Sequence, residues 1–376
     1  MTKRVMLTKM VWKIGGGENV AQTVLEMMKD SMGIEPVLVV SDAPTNFMPP
    51  FPMENFRMNT YDLIPLKRNT VLKVAQKMVP YSFKVKKCVK EYNPDIIISI
   101  DPYLAVTFRL VGIRKPIVLW LHNSIEQQFH KRGLWPFVKV AFEVCDAIIV
   151  LNEGMKQEIR QLFPSALPKT VVIRNPVDVS WVEGVYNPSS MRFTFVGRIY
   201  NKQKRLDRLV KAFHLFKSDH EGWELVLIGD GPDRVMVDAL IKEYGLEQSV
   251  RVAGWQKNPW MYLSTIGGAR ALVLSSDFEG SPLTIVEAMM NGLPVVSLDC
   301  PVGPSEIIKE GENGFLVPFG VSEEETVKNL ARALSEMADN VSSWKPTAIE
   351  ASVEEFRPSR LKVEWEKFLV SICPDA

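Results

Sequence analysis

The chain has 376 residues, of which 46% are hydrophobic, 24% charged and 9% aromatic, so its composition is globular and excludes disordered, collagenous and fibrous proteins. A chain of this length normally folds as two domains. Lys and Arg number 45 against 44 Asp and Glu, a net charge of +1, which argues against a nucleic-acid-binding protein held by a general basic field. The charge is nevertheless uneven: residues 1–178 hold 24 basic and 16 acidic side chains, and the remainder holds 21 and 28.

Cysteine usage and the N-terminal sequence favour a cytoplasmic protein. The four cysteines lie far apart and lack metal-ligand spacing, which predicts reduced thiols: Cys88, Cys145, Cys300 and Cys373. Lys9 and Lys13 interrupt the N-terminal apolar stretch before it reaches the length of a signal-peptide core. No run approaches the roughly 20 apolar residues that span a bilayer, so we expect any membrane contact to be peripheral.

Short apolar runs alternate with segments of helical length, the pattern of a parallel α/β architecture. Six runs in the first half predict strands: Val5–Leu7, Pro36–Val40, Asp95–Ile100, Ile117–Leu121, Ala147–Leu151 and Val171–Ile173. Six follow in the second half: Phe193–Val196, Glu224–Ile228, Val250–Ala253, Ala271–Leu274, Pro294–Ser297 and Gly314–Val317. Several are apolar throughout, as in strands covered on both faces. Two doubly wound sheets fit this pattern better than one sheet of about 12 strands.

Prolines and polar residues over Pro176–Ser189 predict the boundary between two Rossmann-like domains. We expect an N-terminal domain over 1–178 and a C-terminal domain over 179–358. The last helix, about 359–376, could complete the second domain, but we expect it to pack back on the first. Ligands of open α/β sheets bind beyond the carboxyl ends of the strands, which predicts a site in a cleft between two facing sheets.

Three glycines, Gly15, Gly16 and Gly17, follow the first strand and precede a predicted helix over Val20–Lys29. They would let the backbone approach an anion at the helix N-terminus. A dinucleotide-binding fingerprint is a competing interpretation, because Asp42 ends the second strand, but Val20 stands where the third glycine belongs. A tight turn with no ligand is the other alternative.

Two basic residues follow the strand Phe193–Val196. Arg198 comes directly after it, and Lys204 precedes an amphipathic helix. Such a pair could clamp a diphosphate, with the Arg bidentate and the Lys as a point charge. Solvated basic residues are the alternative.

Two glutamates flank a predicted helix start after the strand Ala271–Leu274. Ser281 before Pro282 predicts an N-cap followed by proline at the first helical position, with free N–H groups for a phosphate or sugar. Glu279 and Glu287 could grip sugar and ribose hydroxyls. The two glutamates could instead be the acid and nucleophile of a glycosidase, but that interpretation suits neither the phosphate-binding surroundings nor the two-domain pattern. The remaining alternative is that one glutamate caps the helix and the other is a solvated helix residue.

A series of motifs follows in order along the second half: VGRI with KR after it, GDGPD, VAGW, EGSPLTIVE, GLPVVSLDCPVGPSEII and GENGFLV. In this order they resemble the retaining glycosyltransferases of family 4, whose GT-B fold has two Rossmann-like domains facing across a cleft. The resemblance spans nearly the whole chain and is strongest over Arg192–Pro318. Within the family, the segments around GWQKNPW and SSDFEGSPLTIVEA are most similar to UDP-galactose α-galactosyltransferases that extend the lipopolysaccharide core.

The resemblance implies roles for individual residues. Arg198 and Lys204 match the basic pair that holds the donor diphosphate, with Lys202 as the less favoured alternative to Lys204. Glu279 matches the residue that holds the transferred hexose, and Glu287 the one that binds the ribose. The remaining matches are to the groups around the sugar, the β-phosphate, the base and the diphosphate-closing loop: His122, Ser281, Pro282, Leu283, Thr284, Trp255, Gln256, Gly16 and Gly17. A buried structural histidine is the alternative for His122.

The implied reaction is hexose transfer from a UDP-sugar to a lipopolysaccharide-core or related glycolipid acceptor, with retention and without a metal or other cofactor. Alternatives are a transferase using UDP-glucose or a UDP-N-acetylhexosamine for another surface polysaccharide, a GT-B nucleotide-sugar epimerase, a phosphorylase and a non-catalytic partner subunit. A phosphorylase should carry a pyridoxal-phosphate lysine site, which we do not identify.

Most of the basic excess in 1–178 lies in Leu66–Lys90, with eight Lys or Arg, no acid and interleaved apolar residues. This pattern predicts an amphipathic helix on an anionic membrane, with Lys84, Lys86 and Lys87 among its contacts. We therefore expect a peripheral protein on the cytoplasmic face of the inner membrane. A solvated basic face is the alternative.

Overall fold

The computed structural model describes residues 3–12, 15–44, 48–55, 70–126, 135–340 and 344–373, and for 70–78, 103 and 135–137 it describes the backbone alone. The chain divides into two compact units. The first comprises Met1–Pro176 and Arg357–Ala376, and the second comprises Val177–Phe356. Each unit contains a parallel β-sheet with helices in the connections between its strands.

The first unit has a seven-stranded sheet in the order β3-β2-β1-β4-β5-β6-β7. Its strands are β1 Arg4–Val11, β2 Glu35–Asp42, β3 Met53–Asn55, β4 Ile96–Ser99, β5 Ile117–Trp120, β6 Ala147–Val150 and β7 Thr170–Val172. Its helices are α1 Gly16–Met32, α2 Thr70–Tyr92, α3 Pro102–Leu110, α4 Trp135–Val144, α5 Glu153–Leu162 and a 3-10 helix Pro164–Lys169. The strand order reverses between β1 and β4, and the carboxyl ends of strands at such a switch point border the usual ligand crevice.

The second unit has a six-stranded sheet in the order β10-β9-β8-β11-β12-β13. Its strands are β8 Arg192–Val196, β9 Glu224–Ile228, β10 Val250–Gly254, β11 Ala271–Leu274, β12 Val295–Leu298 and β13 Gly314–Val317. Its helices are α6 Asn201–Lys204, α7 Leu206–Lys217, α8 Arg234–Glu243, α9 Pro259–Thr265, α10 Leu283–Met290, α11 Glu323–Asp339 and α12 Pro346–Ala351, with 3-10 helices Pro304–Glu306 and Glu354–Phe356. Here the order reverses between β8 and β11, which pair directly. The predicted α/β class with two doubly wound sheets is confirmed.

Five of the inner strands are buried over their whole length. Every residue of β4, β5, β6, β11 and β12 is buried. Helical crossovers cover both faces of a parallel sheet, which is why these strands carry apolar side chains at consecutive positions. The core of the second unit also contains a ring cluster in which Phe193 stacks on Trp223 with centroids 4.7 Å apart.

Two elements differ from the sequence prediction. Strand β3 was not predicted, because its three residues are half-buried and polar at Glu54 and Asn55, so no apolar run marks it. Helix α1 begins at Gly16 rather than near Val20, with Gly15 extended at the N-cap. Glycine is a poor helix former, and its presence in the first turn conceals the start of the helix.

The last helix, α13 Pro358–Ile372, belongs to the first unit and packs against α1. Its buried face includes Leu361, Trp365 and Leu369. Trp365 contacts Trp120 edge to face, with ring centroids 5.1 Å apart. The chain therefore returns to the first unit after it completes the second.

All four cysteine thiols are unpaired, and three of them are buried. Over the part of the chain that the structure describes, no helix combines the length and hydrophobicity needed to cross a membrane.

Candidate active site

Two loops touch through their backbones beyond the carboxyl ends of β8 and β9. The Ile199 N–H donates to the Asp230 carbonyl at 2.9 Å. A Cβ on Gly229 would lie 1.8 Å from the Gly197 carbonyl oxygen, and one on Gly231 would lie 2.2 Å from that of Ile199. Only glycine permits this approach, so the GDG segment fixes the backbone that carries Arg198.

Arg198 itself is exposed beyond the end of β8. Its guanidinium carbon lies 5.6 Å from the centre of the Tyr200 ring, within the range of a cation–π contact. An exposed guanidinium at the end of a central strand retains its donors for an anion.

Lys204 and Glu279 form an ion pair at the switch point of the second sheet. Lys204 Nζ lies 2.7 Å from Glu279 Oε1, and the two side chains are 15% and 6% exposed. The neighbouring Gln203 Nε2 donates to the Phe278 carbonyl at 3.2 Å. Lys202 is exposed, so of the two candidate lysines the structure joins Lys204 to the glutamate.

The predicted N-cap at Ser281 is wrong. Helix α10 begins at Leu283, and Pro282 takes the cap position with a ψ of 85° and no side-chain capping hydrogen bond. This ψ is outside the helical range, so the proline precedes the helix instead of opening it. The loop after β12 packs on the same proline, because a Cβ on Gly303 would lie 2.8 Å from Pro282 Cδ. The first turn, including Thr284, therefore carries N–H groups that no side chain caps.

Glu287 lies in the second turn of α10, and its carboxylate accepts a hydrogen bond from the side chain of Trp260. Burial raises the pKa of Glu287, and the Trp260 hydrogen bond opposes that rise. Trp260 is a residue that sequence reasoning missed. Asn258 caps its helix through the Met261 N–H, and the Asn-Pro-Trp sequence is a helix-start signal that could have drawn attention to it.

Trp255 and Gln256 follow β10. The Trp255 side chain is 67% exposed, and Gln256 Nε2 donates to the Ala253 carbonyl at 3.0 Å. The Gly254 carbonyl accepts the N–H of Gly229 at 2.8 Å, which joins this turn to the GDG segment. The turn that carries Trp255 is therefore bonded to the loop that supports Arg198.

In the first unit, His122 lies beside the first turn of α1. A Cβ on Gly17 would lie 3.7 Å from His122 Nδ1, and the Trp120 ring centroid is 4.4 Å from that of the imidazole. Burial, with a smaller effect of the Lys9 charge, lowers the pKa of His122 to about 3. The imidazole is therefore neutral at physiological pH, and its two buried nitrogens have no hydrogen-bond partner among the described residues.

Lys9 and Glu18 complete this corner of the first unit, and sequence reasoning did not assign them to a site. Lys9 Nζ lies 2.5 Å from Glu18 Oε1, with side-chain exposures of 17% and 14%. The sequence signal that could have indicated this ion pair is a lysine on a buried strand followed by a glutamate in the first turn of the next helix. Lys13 and Ile14, which precede the glycines, lie outside the described residues.

The three lysines predicted to contact a membrane lie on α2 and differ in exposure. Helix α2 exposes Lys84 and Lys87, whereas Lys86 is half-buried and its Nζ donates to the Val111 carbonyl at 2.5 Å. Lys86 thus binds a carbonyl at the C-terminal end of α3, where a cation is favourable, and the contact of these lysines with a membrane stays a prediction. Residues 66–69 and the side chains of 70–78 lie outside the described residues. Phe83, 56% exposed, and Leu110, 75% exposed, add apolar area to the exposed parts of α2 and α3.

Comparisons with known proteins agree with this geometry. The family model "Glycosyltransferase Family 4" matches residues 14–181, and "Glycosyl transferases group 1" matches residues 186–349. The lipopolysaccharide 1,6-galactosyltransferase of Salmonella typhimurium is 34% identical over 262 residues, 67% of this chain and 69% of that protein.

Two solved structures share the fold. The apo form of the lipopolysaccharide outer core galactosyltransferase WaaB has a TM-score of 0.75 and 25% identity, over 98% of this chain and 99% of that one. Anabaena Alr3699/HepE in complex with UDP-glucose has a TM-score of 0.73 and 19% identity, also over 98% and 99%. With both family models matched and a relative above 30% identity, this chain belongs to the family 4 glycosyltransferases and has their GT-B fold.

Proposed function

We propose that this glycosyltransferase moves a hexose, galactose in the first instance, from a UDP-sugar to a lipopolysaccharide-core or related cell-surface glycan, with retention of anomeric configuration. The observation that carries the proposal is the Lys204–Glu279 pair, 2.7 Å apart at the switch point where Arg198 also lies. It combines a cation for a diphosphate with a carboxylate for sugar hydroxyls. Similarity to the two lipopolysaccharide galactosyltransferases supports the choice of hexose and acceptor.

The donor diphosphate would bind to Arg198, Lys204 and the uncapped first turn of α10. A diphosphate competes with Glu279 for Lys204, because both are anions that a single ammonium can satisfy. When Lys204 turns to the diphosphate, the Glu279 carboxylate is left to accept hydroxyl groups of the hexose. Occupancy of the phosphate and sugar subsites is thereby coupled through one side chain.

The nucleoside would extend from the diphosphate towards Glu287 and Trp255. Trp260 orients the Glu287 carboxylate, which in this proposal accepts the ribose hydroxyls. The exposed Trp255 indole offers an apolar face for uracil, with Gln256 beside it. The structure of HepE in complex with UDP-glucose, which shares the fold, supports a UDP-sugar as donor.

In the transfer step, the acceptor hydroxyl oxygen forms the new bond to the anomeric carbon on the face from which UDP departs. The bond to the β-phosphate oxygen breaks, and that phosphate takes the hydroxyl proton. Arg198, Lys204 and the helix dipole stabilise the charge on the departing UDP, so we propose that no metal is needed. We propose that the neutral His122 and the backbone at Gly16 and Gly17 also contact substrate.

The acceptor side is proposed to meet an anionic membrane. Lys84 and Lys87 on α2, with the exposed Phe83 and Leu110, combine basic and apolar groups in the way that interfacial helices do. A lipid-anchored, phosphate-rich acceptor would be presented at such a surface. We therefore propose peripheral attachment to the cytoplasmic face of the inner membrane.

The test is UDP release from UDP-galactose, UDP-glucose and the two UDP-N-acetylhexosamines, each with and without truncated lipopolysaccharide cores and with and without EDTA. The proposal requires release that depends on both donor and acceptor, is fastest with UDP-galactose, survives EDTA, and yields an α-linked product by NMR. Conversion of the nucleotide sugar without release of UDP would instead identify an epimerase. No turnover or UDP binding under any condition would identify a non-catalytic subunit.

A further inference from the structure

A second group of charged residues adjoins the Lys204–Glu279 pair. We name it the arginine cluster, and it consists of Arg205, Arg208, Asp277 and Glu323. Its members come from the start of α7, the loop after β11 and the first residue of α11. None of them was predicted as a site residue.

Arg208 is the buried centre of the arginine cluster, with a side chain 2% exposed. Its Nε and Nη2 donate to the two oxygens of Glu323 at 2.8 and 2.7 Å. Nη2 also lies 2.9 Å from Asp277 Oδ1, and Nη1 donates to the Ser275 carbonyl at 3.0 Å. Two carboxylates and one carbonyl hold this buried guanidinium in one orientation, and the two carboxylates compensate its charge.

Arg205 has a left-handed backbone, with φ 48° and ψ 51°. Its guanidinium lies 3.0 Å from Asp207, 3.1 Å from Asp277 and 2.8 Å from Glu323. The contacts with Asp207 and Asp277 raise the pKa of Arg205 further, against the opposing effect of burial. A left-handed conformation is unfavourable for a residue with a Cβ and persists only where the surroundings impose it. Here three carboxylates hold the side chain of the residue that turns the chain from α6 into α7.

The arginine cluster is joined to both partners of the ion pair by short lengths of chain. Arg205 is the residue after Lys204, and Asp277 is two residues before Glu279. The two segments are also tied directly: Asp277 N–H donates to the Gln203 carbonyl at 2.9 Å, and Ser275 Oγ lies 2.9 Å from the Lys204 carbonyl. The arginine cluster therefore adjoins the bonds that connect the backbone segment of Lys204 to that of Glu279.

We propose that Arg205, Arg208, Asp277 and Glu323 are positioning residues that set the geometry of Lys204 and Glu279 for the donor. The inference rests on the proposed function, because it names the residues that hold Lys204 and Glu279 in the geometry that donor binding requires. Glu323 is its most distant member: it lies 119 residues beyond Lys204 in the sequence, yet it anchors both arginines. Misplacement of a binding group by about 1 Å can reduce catalysis by roughly a hundredfold.

The decisive variant is Glu323→Gln, with Glu224→Gln as its matched control. Glu224 also accepts two bonds from one arginine, Arg192 Nε at 3.0 Å and Nη2 at 2.8 Å. The two glutamates are similarly exposed, at 45% and 50%, but Glu224 lies at the amino end of β9, away from the carboxyl-end loops. The control therefore matches the exposure of the carboxylate and its two bonds to one arginine, but Glu323→Gln also weakens the contact with a second arginine, Arg205.

We expect Glu323→Gln to lower kcat/KM for the donor by about tenfold or more when measured well below its Tm. Its Tm should fall further than that of Glu224→Gln, because Glu323 has two arginine partners and Arg208 is more buried than Arg192. Glu224→Gln should keep kcat/KM within about twofold. Asp277→Asn should repeat the loss. Arg205→Gly should also lose activity although glycine accepts the left-handed backbone, and Arg205→Lys should restore part of it. Near-normal kcat/KM in both Glu323→Gln and Asp277→Asn would overturn the proposal.

Amide hydrogen exchange gives a readout that needs no donor. The Asp277 N–H, bonded to the Gln203 carbonyl, should exchange at least about tenfold faster in Glu323→Gln than in Glu224→Gln. Equal exchange in the two variants would overturn the positioning role even if no UDP-sugar is turned over. Faster exchange in a protein that transfers no hexose would instead retain the positioning role and reject the proposed function.

Discussion

Removal of Lys204 should affect stability and turnover in ways that can be separated. Lys204 is 15% exposed and its partner Glu279 only 6%, so Lys204→Met strands a buried carboxylate whose other side-chain donor is Gln203 Nε2 at 3.4 Å. Breaking one side of a buried ion pair costs about 3 to 5 kcal/mol, and the residual exposure of Lys204 places the cost at about 3. For a unit of this size that corresponds to a fall in Tm on the order of 10 °C.

The double variant Lys204→Met/Glu279→Gln removes the stranded charge. Replacing both partners of a buried pair by neutral groups is often close to neutral, so most of the lost free energy of unfolding should return. Turnover should not return, because neither variant has a lysine to stabilise the departing diphosphate; both should show kcat lowered by roughly a hundredfold or more. Calorimetric unfolding and donor-dependent UDP release measure the two effects on the same samples.

Two results would refute this reasoning. If Lys204→Met unfolds at the wild-type temperature, Glu279 is not stranded and the pair is not a buried one. If the double variant recovers turnover together with stability, Lys204 acts only by neutralising Glu279, and its assignment to the diphosphate is wrong.

Three further predictions concern other parts of the two units. Arg198→Ala should leave Tm unchanged, because the side chain is exposed, while kcat falls by roughly a hundredfold; normal turnover would exclude it from the diphosphate site. The pKa of His122 is lowered from 6.5 to about 3, so between these values the unfolded chain binds a proton that the folded chain does not, and stability falls as the pH falls. Between pH 6.5 and pH 5 the free energy of unfolding should fall by about 2 kcal/mol from this cause, and denaturant titrations of His122→Gln should lack that fall. If the variant shows the same dependence of unfolding free energy on pH as the wild type, His122 is not buried as a neutral ring. Replacing Lys84 and Lys87 by Glu, with Lys86 left bonded to the Val111 carbonyl, should abolish sedimentation with anionic liposomes, and undiminished binding would exclude this surface.

The sequence predicted most of the architecture because buried parallel strands are apolar at consecutive positions. Runs such as Ile117–Leu121 and Ala271–Leu274 therefore coincide with strands to within a residue. The pattern fails where burial is partial, as at β3, and where a helix opens with glycines, as at Gly16. Both failures arise because local composition masks an element that the rest of the unit stabilises.

The site residues were predicted individually, but their contacts were not. The motifs indicated Lys204 and Glu279 separately. Because the two residues are 75 positions apart, the sequence did not predict the 2.7 Å ion pair between them. The left-handed backbone of Arg205 was also unpredictable, because arginine seldom adopts it and the compensating carboxylate of Glu323 is distant in sequence. Lys86 has the composition of a surface charge, and only the packing of α2 on α3 assigns it to a helix terminus.

The return of α13 to the first unit has a consequence for biosynthesis. Residues 357–372 leave the ribosome after the whole of Val177–Phe356, so the second unit can fold while the first still lacks its last helix. Until then, the face of Trp120 that meets Trp365 has no partner, and Trp120 is the ring against which His122 packs. The surroundings of His122 and Trp120 should therefore be the last part of the nascent first unit to mature, and a truncation within α13 should impair them while the second unit remains folded.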